Sequence, residues 1–395
     1  MASDQVAPAP DSFVPLCAPE LRGNEWMYIK ECLDTNFVSS VGPFVDRFEH
    51  MVADYVGARY AVATNSGTAA LHIALLVAGV RPDDEVLVSD LTFVAPVNAI
   101  RYVGAFPVFM DVTAEHWQMD PQKVETFLKE ECAAVDGRLR NRRTNRLVTA
   151  ILPVHILGHP VDIKPIADVA RRYGLKVIED ATEALGAKCR GARVGAPGDI
   201  ACFSFNGNKI ITTGGGGMLT TNNEAWAQKA KYLTTQAKDD PIEYVHHEIG
   251  YNYRLTNLQA AVGVGQMENL DDYIRIKRGI AERYTKGLSD VPGLTLPTEA
   301  PWAFSTFWLY TVLVEEACYG MDSRFLQRAL AERNIQTRPL WAPIHDQRPY
   351  RDCQAYRVEV VPRLHRQALS LPCSVGLRDA DQQRVIDAVR DLARR

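Results

Sequence analysis

An α/β fold, with a mostly parallel sheet in a large domain and a smaller C-terminal α/β domain, is what this sequence predicts. Three observations carry it. Short apolar runs of strand length alternate with helix-patterned segments from residue 60 to 203. These strands are apolar on both faces, as in parallel sheets covered by helices on each side. Beyond residue 256 the texture changes to a long helical run followed by one further strand and two shorter helices.

In chain order, residues 1–20 are rich in proline and small side chains and read as a flexible lead-in, residues 21–256 as the large domain, and 257–395 as a connector helix with the small domain. A helix pattern starts at Asn24, with Trp26, Ile29, Cys32 and Leu33 on one face, and stops at the loop from Asn36 to Pro43. A second follows through Phe48, Met51, Val52 and Tyr55. Strands are expected at Tyr60–Thr64, Glu85–Val88, Pro107–Met110, Leu147–Leu152, Lys176–Ile178 and Ile200–Phe203. The run from Asn257 to about Leu288 reads as one long helix, Trp308–Val314 as a strand, and Arg324–Arg333 and Asp379–Leu392 as helices. Trp308 and Tyr310 fall on one face of that strand, which suits core packing.

The 395 residues are 47% hydrophobic and 23% charged, in the range of globular proteins and enough for about two domains. A net charge of −4 argues against a nucleic-acid partner. The basic cluster Arg138, Arg140, Arg142 and Arg143 reads as a solvated loop. Eight cysteines without a Cys-x-x-Cys pair suggest reduced thiols, with neither disulfide framework nor metal site. No run approaches the roughly 18 apolar residues of a spanning helix, and no leader pattern is evident. A cytoplasmic protein with no membrane partner is expected.

Chemistry-bearing residues collect just past the strands, where ligands of such sheets bind. Asn65-Ser66-Gly67-Thr68 turns the first strand into a helix; it is either a phosphate cup, made of free N–H groups and a hydroxyl at a positive helix end, or an ordinary N-cap. Asp180 ends a strand and is either a helix cap or the buried partner of a cationic group such as a protonated pyridine nitrogen. Lys209, after Ser204-Phe205-Asn206-Gly207-Asn208 and before the glycines 214–217, suits an amine held for imine chemistry, and pyridoxal phosphate is the cofactor this would carry. His72, His155 and His159 read as packing or supporting groups. Gly263-Val264-Gly265 lies within a helical pattern, so no dinucleotide fingerprint is present.

Together, Ser66-Gly67-Thr68-Ala69-Ala70-Leu71, Thr92-Phe93-Val94-Ala95, Glu179-Asp180-Ala181, Phe203-Ser204-Phe205 with Lys209, and Thr213 followed by four glycines make the chain resemble the DegT/DnrJ/EryC1/StrS sugar aminotransferase family of fold-type I pyridoxal phosphate enzymes, from about residue 14 onward. The resemblance implies that Lys209 carries the cofactor and moves a proton, Asp180 pairs with the ring nitrogen, Phe93 stacks on the ring, and Ser66, Gly67, Thr68 and Ser204 surround the phosphate. Glu183 stands where the family often has Gln beside the ring oxygen. Asn252 matches an asparagine that reaches the partner subunit's cofactor, which implies a homodimer with shared sites. His345, Ser40 and Arg254 are implied on the substrate side. The reaction implied passes an amino group from L-glutamate to a nucleotide-linked ketosugar. Gly215, where many members carry Glu, and the opening Gly23-Asn24-Glu25-Trp26 are most similar to the subgroup acting at C4 of UDP-4-keto-6-deoxy-N-acetylglucosamine, whose products feed legionaminic-acid or bacillosamine-type glycans. GDP-4-keto-6-deoxymannose is the close competitor, with a 3-ketosugar behind it. A ketosugar dehydratase is disfavoured because that branch has histidine in place of the lysine. A non-catalytic cofactor-binding regulator is disfavoured because lysine, aspartate and cup are all retained.

Overall fold

The computed structural model describes residues 13–240 and 242–393. Eight strands form the main sheet, in the spatial order Tyr60–Thr64, Gly217–Thr221, Ile200–Ser204, Lys176–Asp180, Val148–Leu152, Glu85–Ser89, Phe106–Met110 and Gln354–Tyr356. Gly217–Thr221 runs antiparallel to both neighbours, and every other pairing is parallel. Strands such as Glu85–Ser89 and Ile200–Ser204 are largely apolar and buried on both faces, because helices cover the sheet on each side. The parallel strands therefore end along one edge, at Thr64, Ser89, Met110, Leu152, Asp180 and Ser204, and Gly217 begins its strand on that same edge.

Four short strands, Leu294–Thr295, Tyr310–Val314, Ala368–Leu371 and Arg338–Pro339, make a second, antiparallel sheet that packs with the Ser323–Glu332 and Asp379–Leu392 helices. The strand expected from Trp308 starts instead at Tyr310, which frees Trp308 for another contact. The long run from 257 is two helices, Asn257–Met267 and Leu270–Leu288, broken where Asn269 leaves helical geometry at φ −109°, ψ 0°. Thr256 and Gln259 close a reciprocal capping box at the first of them.

Other differences follow from local pairing. Arg138–Asn141 is not a solvated loop but one arm of a hairpin with Cys132–Val135. Gly217–Thr221 and Gln354–Tyr356 were not anticipated, nor were the helices Pro121–Glu130, Glu224–Thr234 and Val360–Gln367. Of the expected lead-in, residues 1–12 lie outside the described residues. Val14 is buried and bridges Ile335, so the chain is already anchored there. Trp26 is 78% exposed and Leu33 also faces outward, whereas Cys32 of the same helix is buried; nothing in this chain covers that apolar face among the described residues.

Candidate active site

Three segments converge at the sheet edge. Ser66 is in extended geometry as the N-cap of the Gly67–Val77 helix, and its Oγ accepts the Ala69 N–H at 3.1 Å. The N–H groups of Gly67 and Thr68, in the first turn, have no intrahelical acceptor. A Cβ on Gly67 would sit 2.9 Å from Ser204 Cβ and 3.2 Å from Thr182 Cγ2, so this turn, the lysine strand and the aspartate turn touch. A Cβ on Gly217 would lie 2.4 Å from the Ser66 carbonyl, so only glycine lets the helix start rest on that strand.

Asp180 is 2% exposed, and its Oδ1 accepts the Thr182 N–H at 3.1 Å. Burial pushes its carboxyl up from the usual range. Behind it, His155 Nδ1 accepts the Val161 N–H at 2.9 Å, so the neutral ring donates from Nε2 to Glu179 Oε2, also at 2.9 Å. Glu179 Oε1 in turn accepts the Gly198 N–H. His155 is thus a structural brace for the aspartate turn, and its backbone N–H also donates to the Asp180 carbonyl.

Lys209 Nζ lies 3.6 Å from Glu183 Oε1 and 4.2 Å from the centre of the Trp308 ring. Glu183 is buried, which pushes its carboxyl up, and its Oε2 accepts the Leu157 N–H at 2.8 Å. Leu157 takes a left-handed φ of 59° to present that N–H. Trp308, read from the sequence as core packing, is 3% exposed and donates its indole N–H to the Asn208 carbonyl at 2.7 Å, bracing the residue before the lysine.

Phe93 caps the Val94–Tyr102 helix with its ring half-exposed and edge-on to Trp341 at 6.3 Å. Beside it, Asp90 is fully buried and accepts both the His345 N–H at 2.9 Å and its ring Nδ1–H at 2.8 Å. That hydrogen bond raises the His345 pKa. His159 is the other way round: burial lowers it to about 4, while its Nδ1–H donates to Pro160 and its Nε2 accepts the Ala300 N–H. His72 packs against Tyr251. Asn252 is exposed and its carbonyl accepts from Asn65, next to the cup. Ser40 sits in a loop held by Asn257, which bonds the Phe37 and Ser39 carbonyls. Among the described residues, Ser40 and Arg254 make no hydrogen bond to the Lys209 cluster, and no group of His, Cys, Asp or Glu is placed to hold a metal ion.

Residues 19–390 match the DegT/DnrJ/EryC1/StrS aminotransferase family. The chain belongs to this family. It is 39% identical over 377 residues to the GDP-perosamine synthase of Caulobacter vibrioides, covering 95% of this chain and 97% of that one. It is 37% identical over 381 residues to EpsN of Bacillus subtilis, described as a putative pyridoxal phosphate-dependent aminotransferase, covering 95% of each. Among solved structures, S. venezuelae DesV superimposes with a TM-score of 0.85 at 32% identity, over 97% of this chain and 99% of that one. This sugar aminotransferase is therefore an enzyme dependent on pyridoxal phosphate. The residues present fit that cofactor: a glycine-floored helix start open to a phosphate, a buried carboxylate for a cationic ring nitrogen, and a primary amine at the same edge. The finer UDP-sugar resemblance finds no support in these relatives, one of which, matched over nearly the whole chain, is named for a GDP-sugar.

Proposed function

We propose that this enzyme transfers an amino group from L-glutamate to C4 of GDP-4-keto-6-deoxymannose, in the cytoplasm, as a homodimer. The observation that carries the substrate is the 39% identity to a GDP-perosamine synthase across 95% of the chain. The dimer is supported by the exposed large apolar side chains Trp26, Met27, Leu33, Phe37 and Val41 in and just after the first helix, the kind of surface that marks an interaction site where it is contiguous. Asn252, exposed beside the cup, would reach the site of a second copy.

Bound pyridoxal phosphate supplies the carbonyl that takes up the amino group and a ring that accepts the electron pair left on the substrate carbon. This chain's residues hold and steer it. Gly67, Thr68 and Ser204 would bind the phosphate, with Ser66 fixing the turn. Asp180 would hold the ring nitrogen in its protonated state, and Phe93 would cover one ring face. Lys209 Nζ would carry the cofactor covalently and then, once displaced by substrate, move the proton at the substrate carbon. Glu183, beside that amine, would face the ring oxygen. His345, whose pKa is raised by its hydrogen bond to Asp90, would meet the substrate diphosphate, with Ser40 and Arg254 on the same side.

An absorbance titration tests the substrate. The visible band of the lysine-bound cofactor should bleach with L-glutamate and return on adding GDP-4-keto-6-deoxymannose. Return with UDP-4-keto-6-deoxy-N-acetylglucosamine, and none with the GDP-sugar, would refute the assignment in favour of the UDP reading.

A further inference from the structure

Lys277 is 2% exposed, yet no carboxylate lies within 4.0 Å of it among the described residues. Its Nζ donates to the Cys373 carbonyl at 2.6 Å and lies 3.8 Å from Cys373 Sγ. A buried ammonium needs a compensating anion, and the Cys373 sulfur is the group placed to supply it. A second thiol is adjacent. The Cys373 N–H donates to the Leu16 carbonyl and the Ala18 N–H to Ser374 Oγ, both at 2.8 Å, which sets Cys17 across from Cys373. The neighbouring Cys17 side chain, and Lys277 after it, lower the Cys373 thiol, while Cys373 and burial raise that of Cys17 against the pull of Lys277. Cys373 is thereby the more readily ionised of the two, and so the more reactive sulfur.

The pair also touches the lysine loop. Cys17 Sγ lies 3.1 Å from the Asn208 carbonyl oxygen, the same oxygen that accepts the Trp308 indole N–H. Cys373 Sγ lies 3.3 Å from the Trp308 carbonyl oxygen. The two sulfurs thus contact the two residues that flank Lys209, one before it in sequence and one beneath its amine.

We propose that Cys17 and Cys373 form an oxidative modification site, a thiol pair that hydrogen peroxide closes to a disulfide and that thereby disturbs the loop carrying Lys209. The Cys373 thiolate attacks one peroxide oxygen, the O–O bond breaks, and the departing hydroxide takes a proton to leave as water. The Cys17 sulfur then attacks the resulting sulfenic acid; an S–S bond forms, and the sulfenic oxygen leaves with the Cys17 proton as a second water. Two thiols and one peroxide become one disulfide and two waters. A small oxidant is required because Cys373 is 2% exposed, while Cys17 is only half-buried.

The test treats holoenzyme with hydrogen peroxide, blocks remaining thiols, and maps unreduced peptides by mass spectrometry. Two of the eight thiols should be lost, a Cys17–Cys373 cross-linked peptide should appear, and dithiothreitol should reverse both. The visible cofactor band should shift with oxidation in the wild type and not in Cys17→Ser, a substitution at the half-buried position that spares the core. Recovery of Cys17 and Cys373 as free thiols, with oxidation confined to exposed Cys318, would overturn the site. A cross-link that leaves the cofactor band unchanged would overturn its connection to Lys209. Neither readout depends on which ketosugar is the substrate.

Discussion

Replacing Gly217 by alanine puts a methyl group 2.4 Å from the Ser66 carbonyl carbon and oxygen and 2.6 Å from the Gly67 nitrogen. Ordinary contact begins near 3.4 Å, so something must move by about 1 Å. The strand cannot, because Gly217 is paired to Thr64 on one side and Ser204 on the other. The start of the Gly67 helix must therefore lift, taking its free N–H groups with it. A hydrogen bond to a charged group is worth about 1.5–3 kcal/mol. Losing one N–H to phosphate contact should weaken cofactor binding by roughly 10- to 150-fold, since 1.4 kcal/mol is about tenfold. Titrating pyridoxal phosphate into the apoenzyme by fluorescence, with circular dichroism to confirm the fold, measures this directly. Gly207→Ala is the control, because the new methyl group there would meet no atom within 4 Å. Wild-type affinity in Gly217→Ala, or equal loss in Gly207→Ala, would refute the reasoning.

Three further outcomes are expected. Lys209→Ala should fold with an unchanged melting temperature within a few degrees and show no detectable transamination in a coupled 2-oxoglutarate assay; measurable turnover would remove the lysine from its role. Asp180→Asn should retain cofactor by absorbance yet lose at least about 100-fold in kcat, because a neutral ring nitrogen is a poor electron sink. In Asp90→Asn the melting temperature should drop most at acid pH. The His345 pKa is raised in the folded state, so its pairing stabilises fully below its unfolded value near 6.5 and fades as pH climbs through the folded value. A deficit that stays constant as pH rises through that window would show that Asp90 acts only through the His345 backbone N–H.

Most of the sheet was legible because each buried strand is a compact apolar run, with Tyr60–Thr64 and the closing helix Asp379–Leu392 falling where their patterns place them. Gly217–Thr221 was hidden for the opposite reason. Its glycine looks like loop freedom in sequence but is a close approach of two backbones in space. Trp308 packs in the same core as Tyr310, as their shared apolar run suggests, although it lies outside the strand; only a contact 100 residues away, at Asn208, reveals that it also braces the lysine loop. The first helix shows the same limit in reverse, since Trp26 and Leu33 mark an apolar face without saying what covers it. The positions of Ser66–Thr68, Asp180 and Lys209 along one sheet edge were readable because each lies at or just past the end of a strand-length apolar run. Ser40 and Arg254 were named by likeness alone, and the fold gives them no bond to the lysine cluster among the described residues.

The strand Gln354–Tyr356 completes the main sheet beside Phe106–Met110, although about 240 residues separate them in the chain. On the ribosome, at roughly 5–20 residues per second, the Phe106–Met110 edge must then wait about 12–50 s for its partner to emerge. Through that interval its unpaired N–H and C=O groups offer a template to any other nascent chain. The late strand makes the birth of this enzyme, rather than its mature state, the moment at which chaperone cover matters most.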